Sequence, residues 1–323
     1  GISMNEILQR LCRIGIVPVL SVEDAEKALG LANALSAGGL PAAEVTFRTQ
    51  AGEESIRQIA ENCPQVLVGA GTILNVEQCR RALAAGARFI VSPGYNEALV
   101  AYCLEQGVPV IPGCATASDL GRAVSAGLDL VKFFPAEQAG GLPLLKALAP
   151  VFPRLGFMPT GGISIKNLSD YLGYDRVRLC GGSWMAKSEL IQGERWEDIT
   201  TLCRQAVGTM LNFSLQHVGL PCGSADAAAG TAQAICRLFG LDYRQGGSSD
   251  FAGPFVECCK VDMPGTNGHI AIGTPDVDRA EFHLGLEGVE FLEHTRKVDN
   301  NGRTKAIYLK QTFAGFSIHL MRK

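Results

Sequence analysis

A rhythm constrains this chain more than any other feature. Short apolar runs at residues 17–20, 43–47, 66–69, 88–92, 108–112, 130–134, 157–160 and 177–180 begin roughly 20 to 27 residues apart. Between them lie alanine-rich amphipathic segments at 24–36, 53–61, 76–85, 96–105 and 118–126, and an earlier one at 5–14 opens on Asn5 as a helix cap. Apolar runs of four or five residues bounded by turn residues read as buried strands, and apolar positions three and four apart read as helices. Their alternation is the pattern of parallel βα units. Eight such units in about 200 residues predict an α/β fold, a compact (β/α)8 barrel. The Ala-Gly pairs at Ala37-Gly38, Ala85-Gly86 and Ala126-Gly127 fit glycine caps at helix ends.

An open doubly wound sheet is the competing architecture, and it gathers its site residues at one switch point. Here polar or glycine-rich tips follow nearly every strand, as expected of the rim of a barrel active site. The rhythm stops after a closing helix near 196–209, and residues from Phe213 onward carry more His, Gly and charge. That shift divides the chain into a barrel over 1–212 and a smaller α+β domain over 213–323.

Composition narrows the function classes. A net charge of −3 gives no footprint for nucleic acid or a membrane surface, and no apolar run reaches spanning length. Eleven cysteines without a CxxC pair point to reduced thiols and a cytoplasmic setting.

Within the sixth run, Asp129-Leu130-Val131-Lys132-Phe133-Phe134-Pro135-Ala136-Glu137 places an ammonium among apolar residues. Such a lysine snorkels to solvent, finds a partner, or gives up its proton and becomes an amine nucleophile. On the second run, Glu44, Thr46 and Arg48 alternate and so share one face. Glu44 is either a salt-bridge partner of Arg48 or a carboxylate for proton transfer beside the lysine. Thr160-Gly161-Gly162 and Gly181-Gly182-Ser183 close the last two runs, where barrels bind phosphate on backbone N–H groups.

In order, EVTFRT, GAGT, SPG, the Pro112-Gly113 tip, KFFPAE, PTGGI and GGSW resemble the 2-keto-3-deoxy-6-phosphogluconate (KDPG) / 4-hydroxy-2-oxoglutarate (KHG) aldolase family over about residues 5–210. The resemblance implies a class I aldolase on a (β/α)8 barrel, a homotrimer that acts on a keto acid or sugar-acid phosphate without a metal. It implies Lys132 as the Schiff-base lysine and Glu44 as general acid/base. Arg48 and Thr72 would hold the pyruvyl carboxylate, with Pro93 and Thr160 nearby, and Phe134 would pack on the imine. Gly161, Gly162, Gly182 and Ser183 would receive the phosphate. Phe47 stands where the family pattern leads one to expect an aliphatic residue.

The tail contains a loose duplication. A first copy has a strand at 216–220, a helix near 227–239 and a strand at 254–258, and reads as abbreviated. A second has a strand at 268–272, a helix near 276–284 and strands at 289–294, 306–310 and 317–321. It resembles the vicinal oxygen chelate (glyoxalase-like) fold of two βαβββ half-modules. That resemblance implies a divalent metal on His217, Glu257, His269 and His319. A packing or oligomerisation module is the plainer role for the tail. Beside the aldolase, two functions stay open at this stage: a bifunctional enzyme with metal chemistry in the tail, and a keto-acid sensor.

Overall fold

The computed structural model describes residues 4–323 and divides into two compact units, Gly1–Met210 and Leu211–Lys323. In the first, eight parallel strands run β1 (Ile16–Leu20), β2 (Ala42–Thr46), β3 (Leu67–Gly71), β4 (Ile90–Ser92), β5 (Val110–Cys114), β6 (Leu130–Phe133), β7 (Gly156–Pro159) and β8 (Cys180–Gly182). Their spatial order is β7-β6-β5-β4-β3-β2-β1-β8. Between the two ends, Phe157 donates its N–H to the Arg176 carbonyl at 2.9 Å and accepts from Arg178 N–H at 3.0 Å, which nearly closes the barrel. The eighth strand begins later than its apolar run. Val177 makes only an isolated bridge to Phe157, and Cys180–Gly182 pairs with β1.

Every residue of β2, β3, β5, β6 and β7 is buried. Helices cover one face of each strand and the other faces the barrel interior, so the strands read as continuous apolar runs without alternation. The helix Val76–Ala85 has the predicted bounds because Asn75 Oδ1 accepts from Gln78 N–H at 2.8 Å at its start. It ends at Gly86, where φ is +112° and a side chain would be strained. Gly127 is also left-handed, but Gly38 is right-handed and Gly39 takes the positive φ instead. Asn5 lies inside the first turn of the helix Met4–Ile14 rather than capping it.

The second unit is one eight-stranded sheet. Its strands are β9 (Ser214–Pro221), β10 (Tyr243–Gln245), β11 (Ser249–Ala252), β12 (Val256–Cys259), β13 (Gly268–Thr274), β14 (Phe291–Val298), β15 (Thr304–Phe313) and β16 (Phe316–Arg322). The order is β10-β11-β12-β9-β13-β16-β15-β14. β9 pairs parallel with β12 and β13 parallel with β16, while β9 and β13 meet antiparallel at the centre. Each half is therefore strand, helix and three strands, with its first and last strands side by side. The first copy is not abbreviated: β10 and β11, with the sequences Tyr-Arg-Gln and Ser-Asp-Phe-Ala, are too short and polar to show as strands in a hydropathy pattern. Under the first half, Ala228, Ala232 and Cys236 of the helix Ala225–Phe239 pack on Ala252 and Cys258. No helix among the described residues is long and apolar enough to cross a membrane.

Candidate functional site

The strand ends of the barrel converge on Lys132. On β6 it pairs with Met158 on one side and Gly113 on the other. It is 5% exposed, so the arrangement with its head in solvent is not the one found. Its Nζ stands 4.5 Å from the centre of the Phe134 ring, and the charge it interacts with is Glu44. Glu44 is 1% exposed, and its Oε1 has no hydrogen-bond partner among the described residues. Burial raises its pKa above the ordinary carboxyl value, and Lys132 pulls it partly back. The two groups together can hold or pass a proton in a dry site.

Glycines make the room. A Cβ on Gly71 would lie 2.3 Å from Glu44 Oε2, and one on Gly113 would lie 2.0 Å from the Pro93 carbonyl oxygen. Thr72 follows with φ +54°, a left-handed conformation uncommon outside glycine and concentrated at functional sites. Arg48 differs from its expected placement. β2 ends at Thr46, so Arg48 lies in the turn beyond the strand, exposed, and makes no ion pair with Glu44. Thr46 Oγ1 donates to the Leu20 carbonyl at 3.1 Å and Thr49 Oγ1 to the Val22 carbonyl at 2.5 Å, fixing the turn that carries the guanidinium.

After β7 the turn Thr160-Gly161-Gly162 is tied down through its carbonyls. Ala136 N–H donates to Thr160 O at 2.8 Å, Glu137 N–H to Gly161 O at 3.1 Å, and Asn167 Nδ2 to Gly162 O at 2.9 Å. Gly161 and Gly162 have φ of +102° and +79°. The N–H groups of Gly161, Gly162 and Ile163 find no acceptor within the described residues and form a run of free donors, the backbone arrangement that receives an anion. Glu137 braces the turn: it accepts from Tyr171 Oη at 2.5 Å and from Asn167 Nδ2 at 3.3 Å, and its Cγ lies 2.6 Å from where a Gly162 Cβ would stand. Tyr171 is buried, and burial together with Glu137 raises its pKa. Beside it on the rim, Ser183 is exposed, and the Trp184 ring lies over Gly182, with its Nε1 buried and unpartnered among the described residues. Neither the Glu137 brace nor Trp184 stood out in the sequence, although both belong to motifs that did.

In the second unit, the two central strands and their parallel neighbours bring His217, Glu257, His269 and His319 to one face. Glu257 Oε2 lies 2.7 Å from His217 Nε2 and 3.0 Å from His269 Nε2, and the two Nε2 atoms are 3.2 Å apart. Donor atoms of His217, His269 and His319 all lie within 4.8 Å of one another. Gly219 makes the gathering possible, because a Cβ there would fall 2.0 Å from the His269 ring. Ser249 Oγ donates to the other Glu257 oxygen at 2.6 Å. The two histidines and Ser249 hold the Glu257 carboxyl well below the usual range despite its burial. His319 Nδ1 lies 3.2 Å from the Leu320 carbonyl, which can only accept, so Nδ1 carries the hydrogen and Nε2 keeps its lone pair. Burial pushes the pKa of this imidazole down to about 4.

A lysine amine beside a buried carboxyl, at the strand ends of a parallel barrel with a free N–H run after the seventh strand, is the equipment of a class I aldolase. Comparison with known proteins gives the family. The chain belongs to the KDPG and KHG aldolase family, whose model matches residues 7–202. It is 46% identical over 204 residues to the 2-dehydro-3-deoxy-phosphogluconate aldolase of Treponema pallidum, an alignment covering 63% of this chain and 97% of that protein. To the KHG/KDPG aldolase of Escherichia coli K12 it is 43% identical over 192 residues, 59% of this chain and 90% of the relative. Among solved structures, the KDPG aldolase of Legionella pneumophila, with pyruvate captured at low pH as a covalent carbinolamine intermediate, superposes with a TM-score of 0.60. It is 40% identical, and the match covers 61% of this chain and 97% of that one. The KDPG aldolase of Zymomonas mobilis ZM4 with 3-phosphoglycerate gives a TM-score of 0.58 at 39% identity, over 63% and 96% of the two chains.

Proposed function

We propose that the barrel cleaves KDPG to pyruvate and glyceraldehyde 3-phosphate, and KHG to pyruvate and glyoxylate, through a Schiff base on Lys132. The observation that carries this is a lysine 5% exposed whose charged neighbour is a buried, hydrogen-bond-deficient carboxyl, Glu44. The unprotonated amine adds to the C2 ketone, and loss of water gives a protonated imine. The C3–C4 bond then breaks and its electron pair moves into the imine. Glu44 takes the C4 hydroxyl proton as the aldehyde leaves. The enamine gains a proton at C3, and hydrolysis returns pyruvate and free Lys132. Phe134 lies against the amine and packs on the imine. The exposed Arg48 and the strained Thr72 are the carboxylate anchors, with Pro93 and Thr160 lining the same mouth. Gly161, Gly162, Gly182 and Ser183 take the distal phosphate, a reading supported by the free N–H run after β7 and the exposed Ser183.

Borohydride reduction in the presence of pyruvate tests this reading. A stable mass increment of one reduced pyruvyl group is expected on the peptide containing Lys132 and nowhere else. Full cleavage activity in Lys132→Ala would end it. A coupled pyruvate-release assay across KDPG, its galacto epimer and KHG ranks the substrates, and light scattering on the full chain checks the homotrimer. The cytoplasmic setting fits the eleven free cysteines.

The C-terminal unit supports a second reading, a divalent metal centre that makes the protein bifunctional. The donor set fits an ion: ligands at about 2.1 Å stand about 3.0 Å apart in octahedral and about 3.4 Å apart in tetrahedral geometry. The 2.7–3.2 Å separations among His217, Glu257 and His269 fall at or just below those edges. Bound there, a metal would supply Lewis-acid chemistry, with His217, Glu257, His269 and His319 holding it. Metal analysis after growth with Zn, Ni and Mn should find close to one equivalent in the wild type and none in His269→Ala. Metal-free wild-type protein overturns the reading.

A further inference from the structure

The cup of the second unit contains a fifth donor beyond the three histidines and Glu257. Resting on the metal reading above, we propose that Cys259 is a thiolate ligand of that centre. The cup then selects a soft, zinc-class cation over magnesium, calcium or manganese.

Two adjacent cysteines at the end of β12 point in opposite directions, and their surroundings differ. Cys258 faces the apolar side, packed with Ala228, Ala232, Cys236 and Ala252, and behaves as a small hydrophobe. Cys259 alternates with it and shares the face of Glu257. Its Sγ lies with donor atoms of Glu257 and His269 inside a group whose members are all within 4.8 Å of one another. The thiol is 1% exposed, so it is not a surface cysteine that drifts near the site. Its cross-strand partner is Ser249, the residue whose hydroxyl fixes the far oxygen of Glu257. Ser249 thus orients the carboxylate and leaves Oε2 pointing to His217 and His269.

His269 belongs to both donor groups, and Glu257, in the sulfur-bearing one, lies 2.7 Å from His217 Nε2. An ion seated on Glu257 and His269 has the Cys259 thiol among its mutually close donors, with His217 beside Glu257. Imidazole and thiolate together favour zinc and disfavour the oxygen-seeking cations. Binding replaces the S–H bond by a metal–sulfur bond, and the proton leaves to buffer, so no oxidant or reductant is needed.

Cobalt(II) is the probe, titrated into the metal-free full chain. The expected result is one cobalt per chain with a sulfur-to-cobalt charge-transfer band in the near ultraviolet. In Cys259→Ser the cobalt should stay and the band vanish, and the preference for zinc over manganese should fall at least about tenfold. Cobalt bound without that band, or a band that survives Cys259→Ser, overturns the proposal while leaving the metal reading intact. Failure to bind cobalt at all overturns both. Should Cys259→Ser not fold, the cadmium-113 chemical shift of the wild-type protein decides. A shift in the sulfur-ligated range supports Cys259, and one in the nitrogen/oxygen range rules it out.

Discussion

The carboxylate of Glu44 occupies the volume that a side chain at Gly71 would need, since a Cβ on Gly71 would lie 2.3 Å from Glu44 Oε2. The two sit on adjacent parallel strands, with Thr46 paired to Gly71 and Glu44 paired to Gly69. The glycine therefore sets where the Glu44 carboxyl stands. Gly71→Ala should displace Glu44 by about an ångström, and a shift of that size costs about 100-fold in kcat. Borohydride trapping of pyruvate should be weakened but present, because Lys132 is untouched. Wild-type turnover in this variant would show that Glu44 tolerates displacement and is not the proton-transfer group.

The raised pKa of Glu44 also has a sign in stability. A carboxyl whose folded pKa lies above its unfolded value of 4.5 costs the fold nothing below that value, and costs progressively more as pH rises toward the folded pKa. Glu44→Gln should therefore be as stable as the wild type below pH 4.5 and more stable above it, with the gap levelling off past the folded pKa. Thermal melts across that range check this, and cleavage activity should be lost in the same variant. A gap that shrinks as pH rises would mean that Lys132 holds the carboxylate charged.

The barrel was legible because its strands are buried on both faces and recur at a fixed spacing, and because polar tips follow nearly every strand, as at a barrel rim and unlike an open sheet with one switch point. Lys132 was legible for the same reason, as a charge inside an apolar run. Arg48 was misplaced because alternation on paper does not reveal that β2 stops at Thr46. β8 was shifted because its glycines carry no hydropathy, while the preceding Val177 and Leu179 do. β10 and β11 escaped because they are short and carry little hydropathy: β10 is exposed along its length, and β11 buries Ser249, Asp250 and Ala252 rather than large apolar side chains. The brace at Glu137 was invisible because its partners Asn167 and Tyr171 are 30 and 34 residues away and come together only after the barrel turns.

That brace makes a prediction about substrate choice. Asn167 holds the Gly162 carbonyl and Glu137 together, and a lost hydrogen bond of this kind is worth about 1 kcal/mol, roughly fivefold in binding. Asn167→Ala should raise KM for phosphorylated KDPG by about that factor. It should leave KM for KHG, which has no phosphate, unchanged. Tyr171→Phe should act in the same direction through Glu137. Equal effects on both substrates would place the turn at the keto-acid end of the pocket instead.

In the second unit, Gly219 stands to His269 as Gly71 does to Glu44. A Cβ on Gly219 would fall 2.0 Å from Cε1 and 2.5 Å from Nε2 of His269, so the imidazole can lie in the cup only because residue 219 has no side chain. Gly219 pairs with His269 across the antiparallel seam and with Glu257 across the parallel one, which puts it beneath the donor cluster. Gly219→Ala should force the ring out of line with Glu257 Oε2. Metal affinity should then drop at least about tenfold, as it does when a ligand's supporting geometry is disturbed. The barrel unit shares no part of this contact, so pyruvate trapping on Lys132 should be unaffected. Isothermal titration of zinc into the two proteins, with the trapping assay run in parallel, measures both halves. Undiminished zinc affinity in Gly219→Ala would remove His269 from the ligand set.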